Sequence, residues 1–325
     1  MRAQLDSESL QGLPTFGRRP FLTEPEQLDE WRPDAAVVGA PWDDSTTNRP
    51  GARFGPRALR AATYVNGSHH LDLGLEIFDH VDLVDYGDAL VAHGLWDVSY
   101  AAIHDRVHEV ASRGIIPIVI GGDHSITWPS ATAVAEHHGF GRVGIIHFDA
   151  HADTANETNG NLASHGTPMR RLIESGAVLG RNFVQVGLRG YWPPPDVVAW
   201  MRGQQMRTHL MHELWERGVS AVLDDVIAEA LDGPDGIYLS LDIDVLDPGF
   251  APGTGTPEPG GMAPVDLLRA VRRIAMETNL VAVDVVEVAP AYDWADGTVN
   301  NAHRLVWEAL AGIAARRRDA AAAAG

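Results

Sequence analysis

The alternation of short apolar runs with helix-length segments constrains the fold of this chain more than any other feature. Eight apolar runs lie at residues 35–40, 81–86, 115–120, 143–148, 183–188, 206–211, 237–243 and 281–288. Several are continuously apolar, which is typical of strands buried on both faces of a parallel sheet. Helix-length segments separate them, among them 97–113, 214–231, 264–277 and 301–318. The pattern predicts an α/β fold with one predominantly parallel sheet and helices on both of its faces.

The two ends of the chain differ from this alternating region. Residues 1–33 contain four prolines and are predicted to form an irregular arm, whereas residues 34–318 form one domain. The tail, residues 319–325, has low complexity, and we expect it to fray. The N-terminus lacks the apolar core of a signal peptide, and no run approaches a membrane span. We therefore expect a cytoplasmic protein without a membrane partner.

The charge balance limits the possible partners. The chain has 25 basic and 44 acidic residues, a formal net charge of −19. A nucleic-acid partner is disfavoured, because little positive charge is present to neutralise phosphates. The negative field is compatible with attracting a cationic substrate, and solubility alone explains it equally well. The absence of cysteine excludes disulfides and thiolate chemistry.

Three of the apolar runs end in residues that commonly bind metal ions. Ligands in open α/β sheets bind beyond the carboxyl ends of the strands, where these residues lie. Carboxylates and imidazoles without thiolates suit Mn, Ni, Zn or Fe(II) better than soft metals. A structural histidine is the alternative interpretation for His124. The candidate ligands are His124, Asp149, His151, Asp153, Asp242 and Asp244.

The spacing within two of these motifs is two residues. Side chains alternate along a strand, so an extended backbone would place Asp149, His151 and Asp153 on one face. The same holds for Asp242 and Asp244. Two carboxylates at the end of a buried strand repel each other unless a cation or protons lie between them. A hydrogen-bonded polar turn is the alternative interpretation of the first motif.

Six ligands are too many for one small ion and suit two. A site with two metal ions generates a nucleophile from water near neutral pH and stabilises the charge that develops on attack. The ligand set therefore predicts hydrolysis, with a metal-bridging hydroxide as the nucleophile.

Other segments complete the predicted pocket. His165 lies in a loop and could shuttle protons, although a surface histidine is the alternative. Asp284 and Glu287 are three residues apart, so only one of them can face the site from a regular strand. We assign Glu287, the nearer to the strand end, as the anionic anchor of the substrate. The stiff segment 250–261, rich in proline and glycine, is predicted to be an active-site loop.

Two polar residues near the motifs have structural interpretations. His147 lies inside its apolar run, and we interpret it as a buried neutral histidine. Asp247 precedes Pro248, which favours a turn residue.

With these residues in hand, the chain resembles the ureohydrolase superfamily of arginase and agmatinase, in its agmatinase-like branch. The resemblance extends from Val37 to about Leu310. It is carried by Gly121-Gly-Asp-His-Ser125, Asp149-Ala-His-Ala-Asp153, Ser240-Leu-Asp-Ile-Asp-Val-Leu-Asp-Pro248 and Asp284-Val-Val-Glu-Val-Ala-Pro290, with Gly39-Ala-Pro-Trp-Asp43 and Arg49-Pro-Gly-Ala-Arg-Phe-Gly-Pro-Arg57 upstream.

The resemblance implies a three-layer α/β/α sandwich around an eight-stranded, mostly parallel sheet. It also implies a homotrimer or homohexamer with two Mn²⁺ ions, or Ni²⁺, in each site. One ion would be held by His124, Asp149, Asp153 and Asp242, and the other by Asp149, His151, Asp242 and Asp244.

The implied reaction cleaves a guanidino compound to urea and an amine. Asp153 would orient the hydroxide and pass a proton to the leaving amine. His165 would be the proton shuttle, and Glu287 would hold the guanidinium group.

Departures from the arginase pattern bear on the substrate. Arginases carry an asparagine two residues after the last acid of the Asp-x-His-x-Asp motif, where this chain has Ala155. Agmatine, 4-guanidinobutyrate, proclavaminate or smaller guanidino compounds are therefore favoured over arginine. Tyr191 and Trp192 could stack on a cationic tail or close a small pocket. Arg189 could instead pair with a carboxylate tail.

Two alternatives remain at the level of sequence. The same metals could serve formimino-glutamate hydrolysis or cleavage of an unusual, antibiotic-related guanidino substrate. The chain could also be a non-catalytic, ureohydrolase-like subunit that stabilises a partner, because a family resemblance alone does not fix function.

Overall fold

A computed structural model describes residues 13–62 and 67–324. The strands are β1 (Ala35–Ala40), β2 (His69–His70), β3 (Leu75–Glu76), β4 (Leu83–Asp88), β5 (Ile116–Gly121), β6 (Val143–Phe148), β7 (Phe183–Leu188), β8 (Arg207–Leu210), β9 (Gly236–Asp242) and β10 (Leu280–Val286). The α-helices are α1 (Pro25–Trp31), α2 (Gly55–Ala61), α3 (Trp96–Ala111), α4 (Thr127–His138), α5 (Pro168–Glu174), α6 (Pro195–Gly203), α7 (Met211–Arg217), α8 (Val219–Ala230), α9 (Pro264–Glu277) and α10 (Gly297–Ala324).

Eight of the strands form one sheet in the order β4-β1-β5-β10-β9-β6-β7-β8. Every pairing in this sheet is parallel. Each apolar run of the sequence contributes one of these strands, so the predicted parallel α/β fold is confirmed. The short strands β2 and β3 form a separate antiparallel pair.

Two layers of helices cover the sheet. Successive side chains of a strand point to opposite faces, and β1 shows this clearly. Its Ala35 and Val37 pack in one core with residues of α2, α8, α9 and α10. Its Ala36 and Val38 pack in the other core with residues of α1, α3, α4 and α5. The result is the expected three-layer α/β/α sandwich.

The helices differ from the sequence expectations in three places. The expected irregular arm contains α1, while residues 1–12 of that arm lie outside the described part of the chain. The segment 214–231 forms two helices, because Gly218 adopts a φ of 80° between them. Residues 319–324, which were expected to fray, continue α10. No helix within 13–62 or 67–324 is long and apolar enough to cross a membrane.

The sheet order explains why distant motifs meet. Strands β5, β10, β9 and β6 are consecutive neighbours in the sheet. Because they are parallel, their carboxyl ends lie along one edge. The residues that follow them include His124, Glu287, Asp244 and Asp149, which come from positions far apart in the chain.

Candidate metal centre

The candidate ligands follow their strands in turns. Strand β6 ends at Phe148, and Asp153 adopts a left-handed backbone with φ of 51°. Asp242 is the last residue of β9, whereas Asp244 lies in a 3₁₀ turn. The prediction that one extended strand aligns each set of side chains is therefore wrong. The turns bring the side chains together instead.

The first cluster, here named the His124 group, consists of His124, Asp149, Asp153 and Asp242. The Nδ1 atom of His124 lies 3.1 Å from Asp149 Oδ2, 3.1 Å from Asp153 Oδ2 and 3.0 Å from Asp242 Oδ2. All four side chains are buried. Three carboxylate oxygens thus converge on one nitrogen atom.

The second cluster, the His151 group, consists of His151, Asp149 and Asp244. The Nδ1 atom of His151 lies 3.1 Å from Asp244 Oδ2 and 3.5 Å from Asp149 Oδ1. Asp149 therefore directs one carboxylate oxygen to each cluster, which is how a bridging ligand is placed. The Oδ1 atom of Asp242 accepts the Asp244 amide at 2.8 Å, and its Oδ2 faces His124.

The donor chemistry of the two clusters fits metal ions. A ring nitrogen carries one hydrogen at most, so it cannot satisfy three carboxylates. Burial opposes the charged imidazolium form of both histidines, but the neighbouring carboxylates outweigh burial. They raise the pKa of His124 well above its usual value and the pKa of His151 to about 12. Burial and the nearby Asp244 and Asp149 raise the pKa of Asp242. The cluster attracts positive charge, which divalent cations would supply.

Buried hydrogen bonds orient the imidazole of His124. Its Nε2 atom lies 3.0 Å from Ser240 Oγ, and the Ser240 hydroxyl donates to Asp284 Oδ1 at 2.8 Å. Ser240 Oγ therefore accepts the Nε2–H of His124, so the neutral ring would offer its Nδ1 lone pair to a metal ion. Metal-binding histidines are commonly fixed by such outer contacts.

His147 is buried, as predicted, and contacts Asp149. Hydrogen bonds engage both of its ring nitrogens, so neither has a lone pair free for a metal ion. The Gln185 amide donates to Ala152 O at 2.8 Å and to His147 Nδ1 at 3.1 Å. Because the carbonyl of Ala152 can only accept, this amide orientation is fixed. His147 then donates Nε2–H to Asp149 Oδ2 at 2.8 Å. This bonding pattern suits a neutral imidazole that positions a ligand.

Glu287 has one satisfied and one unpartnered carboxylate oxygen. Its Oε1 accepts from the His124 amide at 2.9 Å and lies 2.8 Å from His165 Nδ1. Its Oε2 is buried and has no hydrogen-bond partner within residues 13–62 and 67–324. A Cβ added to Gly255 would lie 3.1 Å from Oε2, so this oxygen faces the 250–261 loop. Glu287 also has a left-handed backbone with φ of 64°, a rare state for such a residue.

His165 and Glu287 form a coupled pair. Burial opposes the charge of His165, but Glu287 outweighs it and raises the pKa of His165 to about 9. Burial also opposes the charge of Glu287, and His165 in turn lowers the pKa of this carboxylate. The amide of Thr47 lies 3.1 Å from His165 Nε2 and favours the unprotonated ring, while the Thr47 hydroxyl at 2.7 Å suits either form. The buried Glu287 carboxylate has the stronger influence on the pKa of His165.

A cavity of about 290 Å³ opens onto both clusters. Among the predicted site residues, His151, Asp153, His165, Trp192 and Asp242 line it. Ala155 also lines it, at the position where arginases carry asparagine. Tyr191 is not among the lining residues and is fully exposed, so the structure does not bring it to the cavity.

Arg189 is not available to a substrate carboxylate, contrary to one of the two sequence interpretations. Its guanidinium donates to backbone carbonyls on three sides. Asp247 accepts the amides of Gly249, Gly260 and Gly261, so its interpretation as a turn residue is confirmed.

Four residues escaped the sequence reasoning. Ser240 and Gln185 orient the two buried histidines, Thr47 contacts His165, and Thr256 donates to Asp244 Oδ2 at 3.1 Å. Ser240 lies two residues before Asp242 on β9, which was a usable signal. The others are single polar residues without a local pattern.

The fold and the donor set together define an α/β protein with clustered His and Asp side chains at the strand ends. Two sets of donor atoms, those of His124, His147 and Asp149 and those of Asp149, His151 and Asp244, lie close enough together to hold a metal ion.

Comparison with known proteins places the chain among relatives of this class. The model of the arginase family matches residues 33–312. The chain is 39% identical to a mitochondrial agmatinase of Gallus gallus, over 92% of this chain and 85% of the relative. It is 35% identical to a guanidinobutyrase of Pseudomonas aeruginosa, over 92% of each. The solved structure of proclavaminate amidinohydrolase from Streptomyces clavuligerus has a TM-score of 0.85 and 34% identity, covering 94% of this chain and 98% of that one. The chain belongs to the arginase family.

Proposed function

We propose that this protein is a metal-dependent amidinohydrolase that cleaves a guanidino compound to urea and an amine. The observation that carries this proposal is the buried Oε2 of Glu287, which has no hydrogen-bond partner among the described residues, while Oε1 accepts the amide of the candidate ligand His124. A guanidinium is a planar cation that pairs well with such a carboxylate. The names of the relatives, which include agmatinase and guanidinobutyrase, support the same chemistry.

Two divalent ions, Mn²⁺ or Ni²⁺, would be held by the His124 and His151 groups, with Asp149 bridging them and Asp242 assigned to both. The four carboxylates of these groups carry four negative charges, which two divalent ions would balance. When bound, the ions supply the Lewis acidity that makes water a nucleophile near neutral pH.

The protein's own residues would bind the substrate and move protons. Glu287 holds the guanidinium group through Oε2. Asp153 orients the attacking water and passes a proton to the leaving amine. His165, whose pKa is raised to about 9, can supply a proton from its imidazolium at neutral pH.

The cavity favours a cationic or neutral substrate tail over a carboxylate tail. The sequence contains no lysine, so only arginine could supply a permanent positive charge. No arginine is among the described residues that line the cavity, and the donors of Arg189 are already used. Agmatine therefore fits better than 4-guanidinobutyrate. A cytoplasmic location and a trimeric or hexameric assembly remain predictions.

The test is urea release from protein loaded with Mn²⁺ or Ni²⁺. Agmatine, 4-guanidinobutyrate, arginine, free guanidine and formimino-glutamate are assayed in parallel, with ammonia and formamide release measured for the last. We expect urea, with agmatine the best substrate. Turnover of formimino-glutamate alone, or no turnover with two ions bound, would contradict the proposal.

A further inference from the structure

The guanidinium group of Arg189 is saturated by main-chain oxygens. Its Nε donates to the carbonyls of Glu258 and Pro259, both at 3.2 Å. Among the described residues, the acceptors are the carbonyl oxygens of Gly187, Asp244, Val245, Leu246, Glu258 and Pro259. None of these acceptors is a carboxylate.

These carbonyls belong to three segments, namely β7, the turn at residues 244–246 and the 250–261 loop, and the last two approach the metal centre. The Nη2 atom donates to Asp244 O at 2.7 Å and to Glu258 O at 2.6 Å. Asp244 supplies a carboxylate to the His151 group, and Glu258 lies in the 250–261 loop, from which Thr256 reaches Asp244. Arg189 thus ties the turn of one candidate ligand to the loop that forms the cavity wall.

The backbone of Arg189 holds the other half of the same cluster. Its amide donates to Ala150 O at 3.0 Å, between Asp149 and His151. The Ala150 amide in turn donates to Asp244 Oδ1 at 3.1 Å. One residue is therefore bonded to both turns that contribute to the His151 group.

We propose that Arg189 is a positioning residue that holds the His151 group in the geometry needed for its metal ion. The proposal rests on the proposed function for the presence of that ion. Arg189 does not touch the reacting atoms, and it does not anchor the substrate tail.

The choice of main-chain acceptors has a physical reason. An arginine bonded to the Asp244 carboxylate would compete with a metal ion for the same oxygens. By bonding Asp244 O, Arg189 brings a positive charge close to the acidic cluster and leaves Oδ2 facing His151. Lysine carries the same charge, but its ammonium has three hydrogens and no planar fork, so it cannot reach acceptors on three sides.

The guanidinium also requires a small neighbour. A Cβ added at Gly261 would lie 2.7 Å from Nη2 and 2.5 Å from Leu246 C. The shortest approach, 2.4 Å, is to the Asp247 nitrogen, so Gly261→Ala displaces the 246–247 main chain together with the guanidinium, without altering the charge.

The experiment compares the full-length parent with Arg189→Lys and Gly261→Ala. Arg202→Lys is the matched control, because Arg202 is exposed and, like Arg189, lines a second cavity of about 680 Å³ that shares Trp192 with the first. Bound Mn²⁺ is counted by elemental analysis after dialysis, and dissociation constants are measured by titration calorimetry. Circular dichroism verifies the fold.

We expect two ions in the parent and in Arg202→Lys. In both test variants, the affinity for one ion should fall about 10- to 100-fold, as it does when outer contacts of a metal ligand are removed. Excess Mn²⁺ should restore kcat, while KM for the guanidino substrate stays unchanged, which general unfolding would not produce.

Three results would overturn the proposal. The first is a folded variant that keeps two ions with parent affinity. The second is a selective rise of KM for substrates with carboxylate tails while the metal content is intact, which would make Arg189 an anchor. The third is unfolding of both variants, since the proposal predicts a folded chain with one weakened ion. A parent that binds two ions without releasing urea refutes only the proposed function, because the metal measurements still decide the role of Arg189.

Discussion

Glu287→Gln tests the assignment of the guanidinium site most directly. In the parent, Oε1 accepts two N–H groups and Oε2 has no partner. The glutamine carbonyl would keep the Oε1 side, because both neighbours there are donors. Its NH₂ group would then replace Oε2 and present hydrogens to a substrate that also presents hydrogens.

The expected fall in kcat/KM follows from the loss of one partner of a buried charge pair. Such a loss costs about 2 to 5 kcal/mol. At about 1.36 kcal/mol for each factor of ten, kcat/KM should fall between about 30-fold and a few thousand-fold. The metal content should remain that of the parent, because Glu287 contacts His124 only through the main-chain amide.

The assay is steady-state urea release alongside elemental analysis of the same sample. Glu174→Gln is the matched control, since it makes the same change at an exposed carboxylate of α5 that pairs with Arg170 and belongs to neither cluster. A Glu287→Gln protein with kcat/KM close to the parent would refute the pairing. A parallel loss of metal and activity would show that Glu287 acts through His124.

Three other perturbations test the surroundings of the site and the stability of the fold. Ser240→Ala removes the acceptor of the His124 Nε2–H and should weaken metal binding about 10- to 100-fold, as measured by elemental analysis after dialysis. The control Ser99→Ala, at a buried serine on α3, should leave metal binding unchanged. Since the carboxylates raise the pKa values of His124 and His151, metal loading near pH 7 should release protons, and apparent Mn²⁺ affinity should rise with pH; loading without proton release would contradict this. Burial lowers the pKa of His303 to about 4 from 6.5, so the unfolded chain binds the extra proton and stability should fall by about 3 kcal/mol as pH drops from 6.5 to 4. His303→Gln keeps an acceptor for Trp307 and should lose that dependence in urea unfolding at the two pH values; an unchanged slope would exclude His303 as its source.

The sheet was predictable from sequence because burial on both faces requires continuous apolar strands. Strands β1, β6 and β7 begin and end where their apolar runs do. Pro117 lies in β5, although proline cannot donate to a ladder. The neighbouring strand β10 pairs with β5 only from Ile118 onward, which helps to explain why this proline is tolerated.

The ligand residues were predictable by type but not by conformation. The spacing of two residues between successive ligands suggested a strand that continues through Asp153. The left-handed backbone of Asp153 instead redirects its side chain toward His124. No local pattern specifies such a turn, because neighbouring segments impose it. The network of Arg189 was equally hidden, since its partners are main-chain oxygens that every residue possesses.

The split carboxylate of Asp149 has a thermodynamic consequence for metal binding. One oxygen faces His124 and the other faces His151, so the two proposed ions would share a ligand. Occupancy of one position then changes the affinity of the other, and the coupling free energy is identical whichever ion binds first. A titration should yield two interdependent stepwise constants. At limiting Mn²⁺, the fraction of active chains should follow the doubly loaded species rather than the average metal content.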